Sequence, residues 1–156
     1  MKLDLSIAMT TGLFSATWIV LATLLHLPAW AGFLGCTTYF AINNNSSSAL
    51  FICALSLASG VAWACASLGV LQQYHGSLLI LVVSTGTIAF FMCIQARLKY
   101  LSFIPGAFIG SCTVFASDVH LISSIAALFA GLLAGFLMKF SGLWLHKLTS
   151  AGRSVM

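Results

Sequence analysis

The sequence offers few side chains that could carry acid–base or nucleophilic chemistry. Its carboxylates number two, Asp4 near the start and Asp118 in a predicted loop, which rules out the paired-carboxylate mechanism of many hydrolases. The chain contains no G-x-S-x-G nucleophile motif. Four histidines fall at the ends of predicted helices, where such side chains are more often wet polar tips than metal or haem ligands. They are His26, His75, His120 and His146. We therefore expect no enzyme activity, no cofactor and no metal site.

The cysteines also give no sign of a metal or redox centre. All five lie inside apolar runs, their number is odd, and their spacing matches no zinc or haem motif. Buried cysteine usually behaves as a small hydrophobic side chain, and we interpret these residues in that way. They are Cys36, Cys53, Cys65, Cys93 and Cys112.

Lys139 is the one charged residue inside a predicted membrane span. Two interpretations are open for it. The side chain could extend to the nearby membrane surface, as long basic side chains near helix ends do, or it could line a pore. Its position about two turns from the cytoplasmic end favours the first interpretation.

The composition explains why these polar residues are so sparse. Apolar residues make up 61% of the 156 positions and charged residues 5%, and the mean hydropathy is +1.11. A soluble domain is typically about one quarter charged, so this composition indicates an integral membrane protein. The net charge of +4 comes from six scattered basic residues, too few for a nucleic-acid surface. We expect the first apolar run to be an uncleaved span, because it exceeds the apolar core of a signal peptide.

The apolar runs predict an all-α, polytopic helical protein with a single domain over residues 1–156. A span needs about 20 apolar residues, and four runs are long enough. Two shorter runs could each be a full span or a re-entrant half-helix. The long runs are Leu5–Leu27, Ala49–Gln72, Gly76–Ala96 and Leu121–His146, and the short ones are Pro28–Ile42 and Tyr100–Ser117.

The distribution of positive charge favours six spans. If both short runs cross, Lys2, Arg97, Lys99, Lys147 and Arg153 all lie on one side of the membrane; if both are re-entrant, Arg97 and Lys99 move to the other side. Because basic residues near span ends concentrate on the cytoplasmic side, we predict six spans with both termini in the cytoplasm.

The two short runs are copies of one another. Residues 31–41 read AGFLGCTTYFA and residues 106–116 read GAFIGSCTVFA. The offset of 75 residues is close to half the chain, so repeat 1 covers about residues 5–72 and repeat 2 about 76–146. Three spans in each half mean that the second copy enters from the opposite face, a 3+3 inverted repeat of the kind found in many transporters.

Small residues at four-residue spacing let membrane helices approach closely. At the same offset, Ser56 and Gly60 correspond to Gly131 and Gly135. The residues that we predict to serve helix packing are Gly35, Gly60, Gly110, Gly131 and Gly135.

The duplicated segment also carries the candidate pore residues. Each copy contains an aromatic ring, a close-approach glycine and hydroxyl or thiol groups, which around a two-fold axis could form a narrow polar path between two rings. The other interpretation is ordinary packing, since threonine in a membrane helix often bonds to its own backbone. The candidates for pore lining or gating are Phe33, Thr37, Thr38, Phe108, Cys112 and Thr113.

Several short segments carry a family resemblance. They are Ser6–Ala8, Trp30–Thr37, Met92–Ala96, Phe108–Gly110 and Ser141–Leu145. With these segments the chain resembles, nearly end to end, the YcdZ-like family of small enterobacterial inner-membrane proteins, whose domain has no assigned function. The resemblance implies a bacterial inner (cytoplasmic) membrane location and a small multi-span fold, and it implies no substrate.

The sequence thus predicts a multi-pass inner-membrane channel or facilitator for a small uncharged or weakly charged solute. Transport would be passive, because no nucleotide site or intramembrane acid is visible. Six spans are few for a wide pore, so we expect a homo-oligomer in the lipid bilayer. The alternative is a non-transporting membrane scaffold or accessory subunit, favoured by the many small packing residues.

Overall fold

The computed structural model describes residues 3–74, 77–117 and 120–151, without the side chains of residues 150 and 151, and these ranges form helices and short connections. His75, Gly76, Asp118, Lys2 and Arg153 lie outside the described residues. Two 3-10 turns, Gln95–Arg97 and Lys99–Leu101, connect α4 to α5. The helices are α1 Leu3–Leu24, α2 Ala29–Ala41, α3 Ser47–Gln73, α4 Leu78–Ile94, α5 Ile104–Phe115 and α6 Leu121–Ala151.

Four of these helices are long and apolar enough to cross a membrane. The four stretches hold 22, 27, 20 and 29 residues: Leu3–Leu24, Ser47–Gln73, Leu78–Arg97 and Leu121–Thr149. At about 1.5 Å per residue they measure about 30–43 Å, at least the thickness of the hydrocarbon core. For the described residues the all-helical class is therefore confirmed, and the four long apolar runs form helices of sufficient length to span. The helices α2 and α5, with 13 and 12 residues, reach only about 18–20 Å.

The first helix ends three residues earlier than the apolar run predicts. His26 adopts a left-handed backbone conformation with φ 52°, and the Leu27 N–H donates to the Ala22 carbonyl at 2.8 Å. This is the Schellman arrangement that closes a helix C-terminus. Pro28 disfavours helical geometry at the residue before it. His26 is thus the stop residue of α1.

The fifth helix begins four residues later than predicted. Pro105 stands in its first turn, where the missing N–H of proline is harmless. If the helix began further upstream, it would need an N–H at position 105, and the proline ring would clash with the preceding turn. The segment around Tyr100 therefore forms a 3-10 turn, and α5 starts at Ile104.

Each short helix packs against the long helix of the other half of the chain. A Cβ added to Gly35 on α2 would overlap the Leu128 carbonyl on α6, and one added to Gly110 on α5 would overlap the Leu57 carbonyl on α3. At both crossings the helices are in backbone contact, which only residues without a side chain allow.

The 75-residue offset between the two repeats holds for the contact positions of the short helices but not for those of the long helices. A Cβ on Gly131 would overlap the Gly32 backbone, and one on Gly60 would overlap the Ala107 backbone. The short-helix partners in these two contacts, Gly32 and Ala107, correspond at the offset of 75 residues. The long-helix partners, Gly60 and Gly131, do not, because the sequence alignment pairs Gly60 with Gly135. The contacts of α3 and α6 are therefore shifted by one helical turn. Gly135 still lies against Cys36.

The contacts also give helix directions. Along α2, Gly32 lies against Gly131, and the carbonyl of Ile42 just beyond the helix accepts from Lys139, so α2 and α6 are parallel. The Cys53 thiol reaches the Thr38 carbonyl across the turn that joins α2 to α3, so α3 turns back antiparallel to α2. It follows that α3 runs opposite to α6.

The two outer helices run against their long neighbours. A Cβ on Gly142 would meet the backbone of Ile7, and Thr10 donates to the Met138 carbonyl at 3.0 Å, so α1 is antiparallel to α6. The pair Ser67 and Ser84 is bonded at 3.2 Å. Gln95, which comes after Ser84, bonds to Ser59, which comes before Ser67 in α3. The contacts therefore run in opposite directions along the two helices, and α4 is antiparallel to α3.

The main core lies where α2, α3 and α6 meet. Its largest fully buried members are Tyr39, Leu57, Leu128 and Leu132. Smaller clusters form around Trp18 on α1 and around Met92 on α4. The central helices are thereby fixed, while α1 and α4 present most of their surface outward.

Candidate functional site

The structure divides the predicted pore residues into an outward-facing group and a buried group. Phe33 and Phe108 are each 38% exposed, and Thr37 and Cys112 are also exposed. These four side chains occupy equivalent faces of α2 and α5. They lie on the outer surface of the protein and not in a dry core.

The duplicated threonines Thr38 and Thr113 are fully buried. The Thr38 hydroxyl donates to the Leu34 carbonyl and the Thr113 hydroxyl to the Ile109 carbonyl, each at 2.9 Å. This back-bonding satisfies the hydroxyl donors within their own helices. The structure thus places Thr38 and Thr113 in helix packing, away from the groove described next.

Two of the predicted pore residues, Phe33 and Thr37, line a groove of about 230 Å³ between α1, α2 and α6. We call it the hydroxyl groove, because three of its seven lining residues are hydroxyl-bearing. Its α1 contribution, Thr11 and Ser15, flanks the middle of this 22-residue helix. The lining residues are Thr11, Ser15, Phe33, Cys36, Thr37, Phe40 and Met138.

Thr11 is the unusual member of the hydroxyl groove. Its Oγ1 is buried and makes no hydrogen bond in the described part of the chain. The adjacent Thr10 hydroxyl lies within 3.2 Å of three backbone carbonyls, and Thr17 bonds to the Leu13 carbonyl at 3.0 Å. A buried hydroxyl without a partner is costly in an apolar environment. Thr11 therefore contributes to the groove wall one buried hydroxyl with unused hydrogen-bonding capacity.

Sequence reasoning missed the α1 side of the groove. Thr11 and Ser15 are four residues apart and share a helix face, which is the signal that could have found them. The segment around them, TTGLFSAT, was treated as part of a uniform apolar span. Only the packing of α1 on α6 brings these hydroxyls beside Thr37.

Lys139 follows the groove residue Met138 on α6 and is half-buried, and its side chain reaches the end of α2. Its Nζ donates to the Ile42 carbonyl at 3.1 Å. The same atom lies 5.5 Å from the ring centre of Tyr39 and 6.0 Å from that of Phe40. The cation thereby satisfies a free carbonyl at the end of α2 and sits over aromatic rings, both favourable arrangements.

A second groove, of about 470 Å³, lies on the other side of the protein and is lined by α3 and α4. Its hydroxyls are partly engaged with each other, since Ser67 and Ser84 are bonded at 3.2 Å. Nearby, the Trp63 indole N–H donates to Gln95 Oε1 at 3.0 Å, and the Gln95 amide donates to Ser59 at 2.9 Å. The polar side chains beside this groove are thus hydrogen-bonded, whereas Ser56 Oγ, elsewhere on α3, is buried and, like Thr11 Oγ1, has no hydrogen-bond partner among the described residues.

The cysteines and histidines are not brought together. Among the residues that the structure describes, no three His, Cys, Asp or Glu side chains are close enough to hold a metal ion. The thiol of Cys36 donates to the Gly131 carbonyl at 3.1 Å. This bond ties α2 to α6 and uses the thiol for packing.

Comparison with known proteins identifies the family. Residues 8–143 match the family model described as a protein of unknown function, DUF1097. The chain belongs to this family. The family resemblance predicted from the short sequence segments is confirmed, and the membrane nature of the chain agrees with its four long apolar helices.

Two curated relatives of the DUF1097 chain are similar over nearly the whole length. The inner membrane protein YcdZ of Salmonella typhimurium is 46% identical over 151 residues, 93% of this chain and 91% of that protein. The inner membrane protein YcdZ of Escherichia coli K12 is 47% identical over 146 residues, 93% of this chain and 89% of that protein. No solved structure matches the chain.

Proposed function

We propose that this DUF1097 protein is a passive facilitator of the bacterial inner membrane for small uncharged or weakly charged solutes, with its path along the hydroxyl groove. The observation that carries the proposal is the set of hydroxyls that line this groove, including the unpartnered Oγ1 of Thr11. A few polar groups in an apolar, aromatic-flanked constriction are a recurring design of pores that pass small solutes. Phe33 and Phe40 supply the flanking rings.

The proposal includes six crossings arranged as a 3+3 inverted repeat. If α2 and α5 were re-entrant, the four remaining spans would alternate, and α3 and α6 would run in the same direction. Their opposite directions support six crossings. The short helices would then reach the membrane surfaces through their flanking loops and through local thinning of the bilayer.

A tag inserted after Arg97 tests this topology. Six crossings place it in the cytoplasm, on the same side as a tag after Met156, so neither tag should react with a membrane-impermeant reagent in intact spheroplasts. Both should react after lysis. Reaction of the Arg97 tag in intact spheroplasts would contradict the six-crossing arrangement.

Transport itself is testable in proteoliposomes by stopped-flow shrinkage with urea, glycerol and ammonia. We expect permeability above that of empty vesicles for at least one of them. The change Thr11→Val should reduce it about tenfold, because removal of one hydrogen-bonding partner from the path raises the barrier by about 1–1.5 kcal/mol.

The matched control is Thr17→Val on the same helix. The hydroxyl of Thr17 is exposed and bonded to its own helix, so this variant should transport like the unaltered protein. Equal permeability of the Thr11 and Thr17 variants would remove the hydroxyl groove from the path. Permeability equal to that of empty vesicles for all solutes, with folded protein confirmed, would refute transport.

The groove is open toward the membrane on one side, so we propose a homo-oligomer in which a neighbouring copy closes it. Native mass spectrometry in mild detergent would measure the state. A strictly monomeric protein that still transports would contradict this part of the proposal.

A scaffold or accessory subunit is the second candidate. It is favoured by the backbone contacts of Gly35 and Gly110 and by the buried state of Thr38 and Thr113, which together make a rigid centre. This function predicts no flux in the vesicle assay and a stable stoichiometric complex with a second membrane protein in gentle purification.

A further inference from the structure

Lys139 is set apart by the position of its backbone within a helix, from which its side chain reaches the Ile42 carbonyl at the end of α2. The other described charged residues, Asp4, Arg97, Lys99 and Lys147, fall at or near helix ends. Lys139 stands well inside the 29-residue span Leu121–Thr149, directly after the groove residue Met138. A charge at such a position in a membrane protein is costly and is usually functional.

No carboxylate neutralises this charge among its contacts, which are the Ile42 carbonyl and the rings of Tyr39 and Phe40. Asp4 is the only carboxylate among the described residues. Ile7 lies level with Gly142, and α1 is antiparallel to α6, so Asp4 lies beyond Gly142, about 9 Å from Lys139 along the axis. Within the described part of the chain, the ammonium thus has no carboxylate partner.

Phe40 connects the charge to the hydroxyl groove. Its side chain lines the groove, and its ring centre is 6.0 Å from the Lys139 Nζ. For a monovalent cation on the groove side of this ring, farther from the ammonium than the ring centre, we take a separation on the order of 8 Å. At an effective dielectric constant of about 20, the repulsion lowers its occupancy roughly thirtyfold, and an anion gains by the same factor.

We infer that Lys139 is the charge filter of this path, which excludes monovalent cations and admits small monovalent anions, such as small carboxylates, together with neutral solutes. The inference rests on the proposed function and narrows its solute class. Fixed basic side chains select anions in pores in the same way. The bond to Ile42 holds the ammonium in place.

The test uses the full-length protein in liposomes and three measurements. Entry of formate is followed with potassium formate and valinomycin, entry of cation with sodium gluconate and a protonophore, and entry of a neutral solute with glycerol. The unaltered protein should pass formate at least about tenfold faster than sodium. Lys139→Met should lower formate entry about tenfold and leave glycerol entry unchanged, and Lys139→Arg should retain formate entry.

The outcomes separate this inference from the proposed function. Glycerol entry with the same formate and sodium entry in the unaltered protein and in Lys139→Met would overturn the charge filter alone. Formate entry that depends on Lys139, without entry of glycerol, urea or ammonia, would support the filter and refute a path for neutral solutes. Absence of formate entry would overturn the filter, and absence of entry of every solute tested, neutral or charged, would overturn both. If Lys139→Met does not fold, sodium entry above leak in the unaltered protein still overturns the filter.

Discussion

The change Gly60→Ala should strongly destabilise the protein. Gly60 is fully covered by α5, and a Cβ added there would lie 2.7 Å from the Ala107 carbonyl carbon. Ordinary contact between such atoms is at about 3.5–4.0 Å. Because the added Cβ would also overlap the Ala107 carbonyl oxygen, α3 and α5 would have to separate by at least about 1 Å. Overpacking costs about 1–3 kcal/mol. Because the opposing atoms belong to the backbone and cannot rotate away, we expect about 3 kcal/mol, roughly a hundredfold in the folded-to-unfolded ratio.

The matched control is Gly69→Ala, nine residues further along α3. A Cβ at Gly69 meets nothing within 4 Å, so this change should be neutral or stabilising by up to about 1 kcal/mol, since alanine is the better helix former. Unfolding free energies are measured by titrating SDS into detergent micelles and following tryptophan fluorescence. Equal values for the two variants would show that α3 and α5 do not approach to backbone contact.

Two further changes test local contacts of the same region by the same measurement. Trp63→Phe keeps an aromatic ring beside Phe91 but removes the indole N–H that donates to Gln95. This change should lower the free energy of unfolding by about 1 kcal/mol. If a Trp→Phe change at a lipid-facing tryptophan lowers it by as much, the result would contradict the hydrogen bond. Ser46→Ala removes the cap hydroxyl that accepts from the Ala49 N–H at 3.2 Å and should cost about 1 kcal/mol, whereas the exposed Ser48→Ala should cost little, and equal costs would argue against the cap.

Much of the architecture could be predicted because lipid imposes a simple rule. A long apolar run must be a helix that satisfies its own backbone, so the four long spans were evident from the residues alone. Helix ends were less predictable. The end of α1 depends on the left-handed geometry of His26, and the start of α5 depends on Pro105; both act locally, but an apolar count does not register them.

The candidate site was only partly predictable. Phe33 and Thr37 were identified from the duplicated segment, and they do line the hydroxyl groove. Thr38 was identified by the same pattern, but it is one residue further on and therefore on a different helix face, where packing buries it. Thr11 comes from α1, outside the segment that drew attention, and no repeat pointed to it.

The sequence by itself determined the solvent for which the chain is built, the number of long helices and the duplication of the short ones, because composition and periodicity carry that information directly. The tertiary structure decided which faces meet. Glycines that are far apart in the chain allow direct contact between α3 and α5 and between α2 and α6. The contact positions on α3 and α6 correspond only after a shift of one helical turn from the sequence repeat. That packing alone places the Thr11 hydroxyl beside Thr37 and the Lys139 ammonium beside Phe40, since contact across helices depends on rotation and depth, which no single segment encodes.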